Sequence, residues 1–188
     1  MTTFDTIRDI FYSGTHAFRG SRDSISEIAF LVDENYLSIS TITITSKNEY
    51  KDLLNNPDKL GGLYEAAGGG KTHVALKILT REYLKTSRGL KSVFEHPFCG
   101  YYPDVLSDDE TIVAECGHTD NSEKMLAYFR QGNIKECIQI PYPSDEDMEV
   151  KGYSFTAKNN LKDFLIFLEQ EKRNKTKNIF LNNRKEKE

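Results

Sequence analysis

Two acidic residues, Asp104 and Glu115, stand inside runs that otherwise read as strands, GYYPDVL and TIVAEC, joined by the acidic turn SDDET. A buried carboxylate without a partner is costly, so a cation is its natural companion. If Ser107–Glu110 is the turn of an antiparallel pair, the period of two sets Asp104 across from about Val113. Glu115 then lies one diagonal away on the same face. Two carboxylates so placed can share a hard divalent cation, Mg2+ or Mn2+, with a backbone carbonyl near Cys116 as a further oxygen ligand. A plainer reading stands beside this one: Asp104 caps a solvated turn, and Glu115 bonds the backbone of the Gly117–Thr119 turn.

Other residue groups compete for a role. Gly70-Lys71-Thr72 ends like a phosphate-binding loop, but Glu65 stands where that pattern needs glycine and would repel a nucleotide. A nucleotide-binding enzyme is therefore the third-ranked reading. The loop either frees the helix to begin, or its amides with Lys71 and Thr72 hold a nucleic-acid phosphate at the positive helix end. His96, Cys99, Cys116 and His118 form H-x-x-C and C-x-H pairs that would make a zinc site if their strands lay side by side. Against that, Cys116 faces away from Glu115, into the core. Adjacent strand residues face apart, so Cys116 and His118 make no obvious nucleophile and base. Phe94, Phe98, Tyr101 and Tyr102 either stack bases or pack the core.

The elements that must carry these residues follow from periodicity. FDTIRDIFYSG reads as a short amphipathic helix stopped by Gly14. EIAFLVDENYLSISTITITS reads as a β-hairpin about Asp33-Glu34-Asn35. A short helix and a loop follow, broken by Pro57 and Gly61-Gly62. THVALKILTREYLKTSRG is a helix with Thr72 as N-cap and Gly89 as stop. KSVFEHPF, GYYPDVL and TIVAEC are three strands, NSEKMLAYFRQG a helix, ECIQIPY a strand, and NLKDFLIFLEQ a last helix. The expected fold is α/β (α+β), a mixed central sheet flanked by helices. One domain spans 1–170, with a core at about 72–141 and an extension at 1–60. Residues 171–188 read as a polar, charged tail, either fraying or a nucleic-acid arm.

Composition narrows the classes. The chain has 188 residues, 38% hydrophobic and 29% charged, a globular rather than a disordered profile. A formal charge of −4 gives no overall nucleic-acid signature, so a polyanion contact needs a local basic patch. Three scattered cysteines argue against a disulfide framework. No apolar run approaches the ~20 residues of a membrane span, and no signal-peptide pattern opens the chain. The expectation is a cytoplasmic protein without a membrane partner.

The order helix, three strands, helix, strand, with Pro103-Asp104 and Glu115-Cys116-Gly117, resembles the PD-(D/E)xK, restriction-endonuclease-like nuclease superfamily over residues 72–141. The resemblance implies a nuclease that uses Mg2+ or Mn2+ to cut nucleic acid, with DNA the expected substrate. Asp104 and Glu115 become the metal ligands, and Glu82 or Glu95 a third acidic ligand. Gly117 occupies the slot of the family's lysine, which positions the attacking water and steadies the developing phosphorane charge. Either Lys124 on the following helix has taken that role, or the site no longer cuts. In the second case the chain is a silent nuclease fold, used for binding or as a subunit, with a homodimer or a partner protein in view.

Overall fold

The computed structural model of the protein describes residues 1–11, 22–46, 48–60, 69–117, 122–145, 149–158 and 160–185. Gly14, Glu65 and His118 therefore lie outside the described residues.

Helical spacing shapes the N-terminal part more than the sequence reading allowed. Helix α1 spans Thr3–Phe11 and buries Ile7, Ile10 and Phe11. Helix α2, Arg22–Asp33, replaces the first strand of the expected hairpin. Ile25, Ile28, Ala29 and Leu31 are buried in it, and a helix period that starts at Ile25 is lost when the run is read from Glu27. The turn at Asp33-Glu34-Asn35 is real, but it joins a helix to a strand. Asn35 adopts a left-handed φ of 61°, and the Tyr36 amide closes onto the Leu31 carbonyl, which ends the helix.

Strand β1 (Leu37–Thr45) follows, then a short helix α3 (Glu49–Asn55) and a 3-10 turn at Pro57–Lys59. Helix α4 runs Gly70–Ser87 with Gly69 at its N-cap. Gly69 takes φ 99°, a conformation other residues rarely adopt, so the helix starts before Thr72, which lies inside its first turn. Strands β2 (Ser92–Phe94), β3 (Val105–Ser107) and β4 (Ile112–Cys116) form an antiparallel meander. Helix α5 (Ser122–Gln131) then crosses to β5 (Glu136–Ile140), parallel to β4.

Strand β6 (Val150–Ala157) was not foreseen, because Gly152 and Ser154 interrupt its apolar alternation. It pairs antiparallel with both β5 and β1, and the β1 register shifts between Thr43 and Thr45. The sheet order is β1-β6-β5-β4-β3-β2. Helix α6, Leu161–Lys185, continues through residues 171–185, where a fraying tail was expected.

The sheet separates two cores. On one face Leu106, Val113, Cys137 and Phe155 pack under α1, α2, α5 and α6. On the other Val105, Ala114, Cys116, Ile138 and Val150 pack under α3 and α4. Each run of alternating side chains is divided between the two layers. Among the described residues no helix is long and apolar enough to cross a membrane.

Candidate active site

The strand register sets the two acids at one level, but it corrects the expectation of a shared face: Asp104 lies outside β3 and its carboxylate turns to the layer of α4, while that of Glu115 turns to the layer of α5. Val105 pairs with Ala114 and Leu106 with Val113, so Asp104, one step before β3, comes level with Glu115. Both are buried, Asp104 with 9% and Glu115 with 3% of its surface exposed.

Asp104 is held chiefly from the α4 side. Its Oδ1 lies 2.9 Å from His73 Nε2 and 3.5 Å from Lys77 Nζ. Its Oδ2 accepts a 2.7 Å hydrogen bond from the Cys116 amide. Burial alone would raise its pKa. Hydrogen bonds from His73 and the Cys116 amide, with the charges of His73 and Lys77, outweigh burial and hold Asp104 below the usual carboxylate value.

Glu115 points to the opposite layer and takes its partners from α5. Tyr128 donates its hydroxyl to Oε1 at 2.7 Å, and Lys124 Nζ lies 3.2 Å from Oε1 and 3.1 Å from Oε2. Burial raises the Glu115 pKa against the Lys124 charge, and the Asp104 charge raises it further. The two acids thus feel one another although their partners come from helices on opposite faces of the sheet.

Gly117 stands in left-handed conformation, φ 80°, and a Cβ on it would come within 2.7 Å of the Tyr142 ring. No lysine side chain fits in this slot unless Tyr142 moves. The Tyr142 hydroxyl in turn sits 3.5 Å from His73 Nδ1, and it shares a hydrogen bond with the Thr72 side chain. Lys71 and Thr72 are both exposed on the first turn of α4, one turn or less from His73.

The remaining candidates separate. Glu82 is exposed, and its carboxylate is 3.6 Å from Lys85 on the same helix. Glu95 instead pairs with Lys77, an ammonium 1% exposed that it shares with Asp104. Among the described residues no three His, Cys, Asp or Glu side chains are grouped to hold a metal ion. Cys116 packs in the α4 core, 3.6 Å from the Thr80 hydroxyl, while His96 is exposed. Burial and the Asp104 charge push the Cys116 thiol well above its ordinary pKa, so it is no thiolate nucleophile. Phe98 and Tyr101 pack against Tyr128, and Phe94 lies under Arg81, which leaves Tyr102 as the exposed ring of that cluster.

His73, Lys77, Tyr128 and Tyr142 were not singled out from the sequence. A signal existed for three of them: His73 and Lys77 are four residues apart on α4, as are Lys124 and Tyr128 on α5, so each pair shares a helix face. Tyr142 had none, because only the fold brings it against Gly117. Compared with known proteins, the chain matches no family model, no curated protein and no solved structure.

Proposed function

We propose that the protein is a metal-dependent nuclease of the PD-(D/E)xK kind in which Lys124 replaces the motif lysine. The observation that carries this reading is the 3.1 Å contact of Lys124 Nζ with Glu115, beside a Gly117 that has no room for a side chain.

The donor chemistry fits a divalent cation. Asp104, one step before β3, is level with Glu115 on β4 although the two turn to opposite layers, and burial together with the Asp104 charge disfavours the Glu115 anion, a cost that a cation between them would relieve. Asp104 and Glu115 would hold Mg2+ or Mn2+, which supplies Lewis-acid stabilisation of a phosphoryl oxygen and a more acidic bound water. Glu82 has no part in this set.

The chain's own residues do the rest. Lys124 would place its ammonium where negative charge develops on phosphorus. Tyr128 fixes the rotamer of Glu115 through its hydroxyl, and His73 with the Cys116 amide fixes Asp104. Lys71 and Thr72, exposed at the start of α4, are placed to hold a neighbouring phosphate of the nucleic acid. The free thiols of Cys99, Cys116 and Cys137 suit a reducing compartment, the cytoplasm.

A second reading has its own observation. Each carboxylate already carries a lysine, Lys77 on Asp104 and Lys124 on Glu115, so the pair is stable without a metal. On that reading the chain is a silent nuclease fold that binds nucleic acid or serves as a subunit. Incubation with plasmid and single-stranded oligonucleotides in Mg2+ or Mn2+ separates the two. Cleavage that disappears in Glu115→Gln and in Lys124→Met supports the nuclease. Binding without cleavage in the wild type supports the silent fold, and cleavage that survives Glu115→Gln removes this site from the reaction.

A further inference from the structure

Charge is segregated along this chain. Residues 172–185 contain six basic side chains, Lys172, Arg173, Lys175, Lys177, Arg184 and Lys185, and no Asp or Glu. The rest of the chain then holds 19 of the 25 Lys and Arg against all 29 Asp and Glu. An acidic body that handles a polyanion needs a separate basic element to hold it.

The run has a defined shape. It is the second half of α6, a helix of 25 residues and so about 37 Å long. Residues 171–177 are all exposed. The helix is anchored where it leaves the body: Lys172 bonds Glu27 on α2, and Arg130 on α5 lies 3.5 Å from Glu169. Lys172, Glu123 and Arg130 line one hollow, and Glu123 precedes Lys124. The basic half of the helix therefore departs beside α5, from the hollow that Glu123 and Arg130 line.

We propose that the C-terminal half of α6 is a nucleic-acid-binding arm that grips the sugar-phosphate backbone of the substrate. The proposal rests on the reading of nucleic acid as that substrate. Arg173 and Lys177, four residues apart, share one helix face, and the sequence from 172 to 185 mixes cations with amides suited to phosphate and sugar oxygens. A membrane surface is the poorer match. In the sequence the arm's apolar residues, Ile179, Phe180 and Leu181, are consecutive rather than three or four apart, the spacing an interfacial helix uses.

The test is fluorescence anisotropy with labelled duplex and single-stranded oligonucleotides, in EDTA and in a Glu115→Gln background, so that no cleavage intervenes. Wild-type arm is compared with Lys175→Gln/Lys177→Gln/Arg184→Gln/Lys185→Gln between about 50 and 200 mM salt. The expected result is a loss of at least ~10-fold in affinity. The slope of log K against log salt should flatten by about 0.9 per lost phosphate contact on duplex, or 0.7 on single strands. Unchanged affinity and slope overturn the arm. So does a loss confined to vesicles containing phosphatidylserine, with oligonucleotide binding intact. Arm-dependent binding by a wild type that never cleaves sinks the nuclease reading and leaves the arm standing. Cleavage together with arm-independent binding does the reverse.

Discussion

The ring of Tyr142 occupies the space that a side chain on Gly117 would need. A Cβ at 117 would lie 2.7 Å from that ring, on a backbone already at φ 80°. Restoring the family's lysine by Gly117→Lys is therefore expected to fail twice. It should destabilise the fold by about 2–4 kcal/mol, from left-handed strain and overpacking together, measured by urea unfolding. In a Lys124→Met background it should restore no cleavage. A stable Gly117→Lys protein that cuts nucleic acid would show the original slot still open.

Lys124 has a measurable structural role besides its proposed chemical one. Lys124→Met leaves Glu115 with Tyr128 alone, and unfolding free energy at pH 7 should fall by roughly 2–3 kcal/mol, below the cost of splitting a fully buried pair because Lys124 is partly exposed. Adding Glu115→Gln should recover part of the loss. A double variant no better than the single one would mean that the contact carries little energy.

Lys77 is the more deeply buried cation. Its ammonium serves both Glu95 and Asp104, and the whole residue is 1% exposed on α4. Lys77→Met keeps the stem and removes the charge. A loss of about 2–4 kcal/mol is expected, reduced when Glu95→Gln is combined with it, and a double-mutant cycle reads the coupling. Additive effects would dissociate the pair.

The two acids should respond to pH in opposite senses. Asp104 is held below its ordinary 3.8, so it adds stability above that pH and loses it as pH falls through the folded value. Burial pushes Glu115 above its ordinary 4.5, so it adds stability below that pH and loses it as pH rises through the folded value. In urea titrations, the advantage of wild type over Asp104→Asn should grow as pH rises toward 3.8. Its advantage over Glu115→Gln should shrink above pH 4.5. Parallel slopes for the two variants would contradict the assigned environments.

These contacts explain what the chain disclosed before its fold was known. Asp104 and Glu115 stood out because acids are rare inside strand-like runs, and Lys124 because it stands in the first turn of the next helix seven positions after Gly117, where the motif's lysine is missing. The α4–β2–β3–β4–α5–β5 order was legible from the apolar runs and the turn and glycine signals that separate them. The error at α2 came from a short apolar run, IAFLV, whose length suits a strand or a helix and whose deciding residue, Ile25, lies upstream. Strand β6 was hidden by Gly152 and Ser154. Lys77 was hidden by being charged, because a lysine in an amphipathic helix ordinarily marks the wet side, and here its partner carboxylates are 18 and 27 positions away in sequence, beyond any local pattern.

The register shift in β1 between Thr43 and Thr45 bears on how copies of this chain can meet. β1 is the long outer strand, and the shift disturbs the row of amides and carbonyls there that a neighbouring molecule would have to match. The opposite rim, β2, offers three residues. Both margins of the sheet are thus poor templates for edge-to-edge pairing into a continuous ribbon.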